Sequence, residues 1–532
     1  MKPVKKDNIV DIILIVFLIL QPIFDLKIFY NSISTLIRVI LISGLFGYYF
    51  IKSDNKKKYI LLIYPIILGI YFIFHHLNAL KFNSLVPGNF NYSLLNEALY
   101  FLKMICPFML IYSLFKSKLD NKTYIKIIKT LVLIISLVII ISNIFMFSYG
   151  SYSGTKIKAN FFNWFNTDYT YFDLASIGLF LYGNQISAIL IMFLPFTIFS
   201  VLNCETSWRK DAPIQACNTT CTLYNKIRFF CTTKCFNIFT LVCNIFALIL
   251  ICTRVSVLGI FVAFAYTIFT FMFISIINKS KFKIKAYMPI IVVFIIYGLL
   301  LPVNPMFNRM DERKNAIQAS TEVSDDVTIS EPTTNNSPEP EPIQEEPTSN
   351  EEVQNSSSNE MMTYIENNYE AKKLHKQFLY ENYPYQYDPE FWYNFLQNDV
   401  EQTTDYRYIE KSMVRRVIEV NNRPMDVFFG ITNTRLQNIF NIERDFVVQY
   451  YALGIIGLIL VFFPYFAMCA YFVYKIIRVK LNNLTLINML SFITIIFIFG
   501  ISYFSGNLLN SLNFTIYFTI MFKLLYDSKS LA

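Results

Sequence analysis

The chain has 532 residues, of which 55% are hydrophobic, 17% aromatic and only 16% charged. Ordinary soluble domains are charged at roughly a quarter of positions. The apolar residues come in uninterrupted blocks of about 20, a surface no soluble globule hides, so disordered, fibrous, nucleic-acid-binding and small disulfide-scaffold classes are excluded. The reading is an all-α polytopic membrane protein of about 12 transmembrane helices, with one large, mostly helical extracytoplasmic loop that contains a disordered acidic insert.

In chain order the predicted spans are 8–26, 33–51, 59–75, 97–115, 130–148, 185–203, 236–252, 255–277, 286–303, 447–474, 483–502 and 509–526. Each approaches the ~20 residues that cross a ~30 Å hydrocarbon core as a helix. Only Thr253 and Arg254 interrupt the apolar run of the pair over 236–277. Lysine-rich loops alternate with lysine-poor ones. One side holds Lys5 and Lys6, Lys56 to Lys58, Lys118 to Lys129, Arg209 to Lys234, Lys279 to Lys285, and Lys475 to Lys480; the short loops opposite hold only Lys27, Lys81, Lys156 and Lys158. The positive-inside rule then places both termini in the cytoplasm of a multi-pass plasma-membrane protein. The first apolar run lacks a small-residue cleavage site and reads as a retained helix.

Three regions follow: a membrane domain over 1–303, an extracytoplasmic loop over 304–446, and three final spans over 447–532. Within the loop, 315–360 is rich in Ser, Thr, Asn, Pro and Glu and has no Lys or Arg, which predicts a disordered acidic insert. Aromatics and helical spacing return over 361–446, which predicts a helical cap.

The cysteines Cys217, Cys221, Cys231 and Cys235 form two C-x3-C pairs, each on one helical face. The pattern suits a thiolate metal site, a two-disulfide hairpin, or unligated thiols. A cytoplasmic location argues against disulfides.

Charges inside a bilayer cost ~2.5 kcal/mol or more and ask for an explanation. Arg254, Arg38, Lys103, Glu97 and Asp25 all group toward the outer leaflet. They either snorkel to headgroups, pair with one another (Glu97 with Lys103, for example), or bind an anion. In the cap, D405-Y-R-Y-I-E410 supplies Arg407, and N441-I-E-R-D-F446 places Glu443 and Asp445 just before a returning span. Acids at a helix N-terminus are also favoured by the helix dipole alone.

These stretches together resemble the O-antigen ligase and polysaccharide polymerase superfamily, especially its Gram-positive, teichuronic-acid-polymerase-like branch. The matching segments are Q21-P-I-F-D25 with Arg38, N96-E-A-L-Y-F-L-K103, G178-L-F-L-Y-G-N-Q-I-S187, T253-R-V-S-V-L-G259, F391-W392, Y406-R407, I442-E-R-D-F446 through G454-I-I-G457, and S505-G-N-L-L-N510. This chain departs from many relatives in carrying Glu443 where they carry His, and Asn507 where they read His after Gly506.

The resemblance implies a glycosyltransferase of cell-surface polysaccharide polymerisation or ligation. It would transfer a glycan from a polyprenyl-diphosphate carrier (such as undecaprenyl diphosphate) to the hydroxyl of a glycan or lipid-glycan acceptor, with no cofactor and no metal. Guanidinium groups suit a diphosphate leaving group, so Arg254 and Arg407 are the candidate catalytic cations, with Arg38 and Lys103 as further diphosphate-binding residues. Glu443 is the candidate base. Cap aromatics would stack on sugar rings. Membrane lipids are partners, nucleic acid is not, and a chain-length regulator is a candidate partner. Two alternatives stand: a divalent ion held by Glu443 and Asp445, and a transporter or flippase of lipid-linked oligosaccharide.

Overall fold

The computed structural model describes residues 6–29, 32–53, 59, 62–83, 85–86, 91–165, 169–207, 234–277, 279, 284–307, 350–439, 442–479 and 484–526. Each predicted span holds an apolar helix: α1 (Lys6–Phe24), α2 (Ser32–Lys52), α3 (Ile63–Ala79), α4 (Leu94–Lys116), α5 (Asn121–Ile144), α6 (Gly183–Ser207), α7 (Lys234–Ile251), α8 (Arg254–Ile277) and α9 (Ile284–Leu300). The cap follows as α10 (Asn350–Asn368), α11 (Pro389–Leu396), α12 (Tyr406–Asn421), α13 (Pro424–Phe429) and α14 (Asn433–Ile439). The chain then returns through α15 (Asp445–Val479), α16 (Leu486–Phe504) and α17 (Leu512–Leu525). Among the described residues eight helices are long and apolar enough to cross a membrane; those at Ile9–Phe24, Ile63–Ala79, Tyr287–Leu300 and Leu512–Leu525 are apolar but shorter. The protein is an all-helical, polytopic membrane protein.

The helix ends follow from local chemistry. Asp120 caps α5 by accepting from the Thr123 N–H at 2.9 Å, and Thr485 caps α16 through the Asn488 N–H. The ambiguous pair over 236–277 is cut sharply. Thr253 Oγ1 accepts from the Ser256 N–H (3.0 Å) while Ser256 Oγ accepts from the Thr253 N–H (2.9 Å), a reciprocal cap that starts α8 two residues after α7 ends.

Two cores organise the molecule. In the first, α6 lies at the centre of the bundle, nearly all of it buried against α5, α7 and α8. The short helix α17 belongs here: at ~1.5 Å per residue its 14 residues reach about 21 Å, less than the ~30 Å of hydrocarbon. It is buried along almost its whole length, and the loop over 505–511 makes up the difference. The second core joins the cap to the membrane domain, with Ile365, Trp392, Ile409 and Met413 packed in one cluster with Tyr71, Phe101 and Met104.

The acidic insert needs a correction at its C-terminal edge. Residues 315–349 lie outside the described residues, but 350–360 are helical as the first half of α10. No Pro or Gly follows Pro347 in this stretch, and the far end of the helix buries Ile365 and Tyr369. Burial there stabilises a helix that composition alone did not predict.

The feature that ties cap to membrane is a break inside α15. Gly454 has φ +64°, which interrupts the helix and frees carbonyls in the preceding turn. The cap supplies donors: Ile431 N–H to Tyr451 O (2.9 Å) and Thr432 N–H to Ala452 O (3.0 Å), while the Tyr71 hydroxyl donates to Leu453 O. A Cβ at Gly454 would collide with the Phe428 backbone, and one at Gly430 with the Ala452 carbonyl. Gly454→Ala is therefore expected to lower stability by ~2 kcal/mol or more and to make 350–439 sensitive to limited proteolysis. Gly44→Ala, with open space around it, should leave the melting temperature unchanged.

Candidate active site

Two of the motif stretches meet where α15 begins. The Asp445 carboxylate, fully buried, accepts from the backbone N–H groups of Leu508 (3.0 and 3.1 Å), Leu509 (3.1 Å) and Asn510 (3.3 Å). These N–H groups sit in the loop before α17 and have no helical partners of their own. Gly506, at φ +71°, lies so close to the Glu443 carbonyl that a side chain would occupy its space. The family-like S505-G-N-L-L-N510 segment is thus the cradle under I442-E-R-D-F446.

Glu443 turns from that cradle toward the cap. Arg407, near the start of α12, donates from Nε (2.7 Å) and from Nη2 to Glu443 Oε2, and from Nη1 to the Phe504 carbonyl (3.4 Å). The side chains are 38% and 37% exposed, so the pair stands at a surface. Asp405 caps α12 by accepting from the Arg407 N–H at 3.2 Å, which fixes where the guanidinium starts from. One turn further along, Glu410 is 3% exposed and its Oε2 has no hydrogen-bond partner among the described residues. Burial first, then the Glu443 charge, pushes its carboxyl up to about 8, with Arg407 partly opposing.

Arg254 stands at the junction of the pair over 236–277, as the break in the apolar run predicts. It is exposed at the first position of α8 and makes no hydrogen bond or ion pair with a described residue. The turn behind it is held rigidly: Tyr171 donates to Cys252 O (2.8 Å), Ser151 to Ile251 O (2.7 Å), and Ser187 lies 3.1 Å from the Thr253 hydroxyl. Two residues before Ser187, Gln185 accepts from Ser511 at 3.4 Å. Arg254 and the Glu443 cradle are therefore linked through the start of α6, but the Arg254 guanidinium bonds to neither Arg407 nor Glu443.

Other predicted residues are committed to the scaffold. Arg38 is 0% exposed and donates to Asp25 (2.5 Å), Gln21 (2.9 Å) and Asn513, while Tyr517 donates to Asp25 at 2.7 Å. It braces α1, α2 and α17 and has no free face for a diphosphate. Glu97 does not pair with Lys103. It accepts from the N–H groups of Asn433 and Thr434 and from the Thr434 hydroxyl, each at 3.1 Å, and it meets His75 Nε2 at 3.1 Å. His75 Nδ1 donates to Phe429 O at 2.6 Å. This histidine is half of the clasp that docks the cap. Lys103 is half-buried on α4, with no ion pair to a described residue.

The cap aromatics are corrected as well. Trp392 is fully buried and donates to Tyr383 O (2.8 Å); Tyr383 donates to Asp388 (2.7 Å), which Arg416 grips at 2.8 and 3.0 Å. They form the cap's own core rather than a sugar platform. Tyr406 and Tyr408, on either side of Arg407, are exposed, as are Tyr380, Tyr387 and Phe428 elsewhere on the cap. Cys217, Cys221 and Cys231 lie outside the described residues; Cys235 is a free, exposed thiol.

Chemically, the arrangement offers a half-exposed guanidinium on a carboxylate, a second carboxyl behind it, and an unpaired arginine on a neighbouring helix end. Asp445 is saturated by backbone N–H groups and Glu443 is engaged by Arg407, so the Glu443-Arg444-Asp445 triplet presents no open acidic pair. Among the described residues, no group of three or more His, Cys, Asp or Glu side chains could hold a metal ion. The chain matches the family described as O-antigen ligase like membrane protein over residues 7–221 and 214–528. No curated protein and no solved structure matches the chain.

Because the role of Asp445 is architectural, Asp445→Ala should strand three buried N–H groups and lower stability by more than ~2 kcal/mol, read as a thermal shift of the detergent-solubilised protein. Glu443→Gln, at a half-exposed position, should leave the same melt unchanged.

Proposed function

The chain belongs to the O-antigen ligase like membrane protein family, whose class of reaction is ligation or polymerisation of lipid-linked glycans, and on that premise we propose that the Arg407–Glu443 pair is its catalytic centre. The reaction is transfer of a glycan from a polyprenyl-diphosphate carrier to an acceptor hydroxyl, at the extracytoplasmic surface of the plasma membrane. No ATP is available there, so the donor's diphosphate provides the activation. The observation that carries this reading is the pairing of Arg407 with Glu443 at the junction of cap and membrane domain, on the loops that hold the family-like motifs.

In the resting site the Glu443 carboxylate is occupied by Arg407. A diphosphate is a stronger partner for a guanidinium because it carries more charge and more acceptor oxygens. Its arrival draws Arg407 away and leaves Glu443 free to take the acceptor's proton, so the base is unmasked only when donor is bound. As the glycosidic C–O bond breaks, its electron pair stays on the diphosphate, where Arg407 and Arg254 stabilise the growing charge. The acceptor oxygen forms the new C–O bond on the opposite face, with inversion, and its proton passes to Glu443. Lys103 is a further candidate for holding the anion, and Tyr406 and Tyr408 offer faces for the glycan. Two carboxylates are not needed to hold a metal in this scheme, and transfer should survive chelators.

In proteoliposomes supplied with lipid-linked oligosaccharide, Arg407→Ala, Arg254→Ala and Glu443→Gln are each expected to cut transfer by about 10²-fold or more. Arg407→Lys should recover little, because an ammonium cannot reproduce the planar fork. Wild-type rates in these variants would overturn the assignment, and unchanged chain lengths with altered sidedness of the substrate would favour a flippase.

A further inference from the structure

The Arg407–Glu443 pair is not alone. Three acids lie around Arg407: Asp405 at the cap of α12, Glu410 three residues further along the same helical face, and Glu443 from the segment before α15, which holds the guanidinium. Asp405 spends an oxygen on the Arg407 N–H, and Glu443 takes the guanidinium. Glu410 is different. It is buried to 3% exposure and one of its oxygens has no partner among the described residues. Buried carboxyl oxygens are normally satisfied, and a bare one next to a functional arginine asks for a reason.

Resting on the reading just given, we infer that Glu410 is a positioning residue of the diphosphate site: held as a neutral carboxylic acid, it keeps the Arg407 charge available for the incoming anion. Were Glu410 ionised, the site would carry one more negative charge facing an anionic substrate, and a second carboxylate would compete for the Arg407 charge. Kept neutral, it adds no repulsion and can donate a hydrogen bond to an oxygen brought into the site, as a carboxylic acid in an apolar pocket is able to do. The charged groups acting on it are Glu443 from the neighbouring segment and Arg407 and Asp405 from its own helix, and the balance favours the proton up to about pH 8.

The sign follows by linkage. If the anion binds the form with protonated Glu410, affinity is full below that pH and falls toward tenfold per pH unit above it. Farnesyl diphosphate is a suitable probe, because it is soluble and carries no sugar. Its affinity for the detergent-solubilised full chain should fall roughly tenfold between about pH 7 and 9. Glu410→Gln, which cannot ionise, should bind with the same affinity at both ends of that range. Glu410→Asp should keep a pH dependence with a displaced midpoint, which serves if the amide variant does not fold. An unchanged fall in Glu410→Gln, an unmoved midpoint in Glu410→Asp, or a pH-independent wild type would overturn the inference. Arg407→Ala separates this from the underlying reading. If it binds the probe as well as the wild type, or if the wild type does not bind at all, the diphosphate assignment itself fails.

Discussion

In hydrocarbon an unpaired peptide group has no water to turn to, and the architecture of this protein is organised around two places where helices leave peptide groups unpaired. One is the break at Gly454 in α15; the other is the loop over 505–511 that stands in for the missing turns of α17. Both are satisfied by parts distant in sequence. The cap loop donates to the broken helix through Ile431 and Thr432, and Asp445 accepts from the loop through both of its oxygens. Because Asp445 closes the second break from two residues beyond Glu443, meeting the backbone's needs there also sets the position of Glu443.

The charged groups divide into two populations with opposite treatment. Arg38, Glu97 and Asp445 are fully buried, and each is surrounded by partners that compensate its lost hydration. The Glu97 clasp is the most consequential, since it gathers α3, α4 and the start of α14 into one polar knot with His75. Arg254, Arg407 and Glu443 are half-exposed or exposed; Arg254 has no hydrogen bond to a described residue, and the one ion pair that Arg407 and Glu443 make is with each other. A group with spare hydrogen-bonding capacity at a surface can exchange partners; one buried in a complete shell cannot without large cost.

Much of the fold was legible because bilayer thickness dictates the length of an apolar run, and all twelve runs became helices. The turn at Thr253 was legible in principle too, since Thr and Ser at that spacing form a reciprocal cap. What composition could not convey was which intramembrane charge meets which. Glu97 and Lys103 lie six residues apart on one helix and look like a pair, yet Glu97 is held by His75 of the preceding helix and by backbone N–H groups from more than 330 residues away. Glu410 was equally hidden: D405-Y-R-Y-I-E410 shows an acid one turn from an arginine, but its burial depends on what the cap packs against. The cap aromatics misled for a related reason, because an aromatic run serves a small domain's core as readily as it serves a ligand.

The broken helix also limits how substrates can approach. A roof stitched by main-chain bonds to the span beneath it is no hinged door: lifting it would leave naked carbonyls facing lipid. Whatever reaches the groups beneath the roof therefore comes in past its edge, not by lifting it.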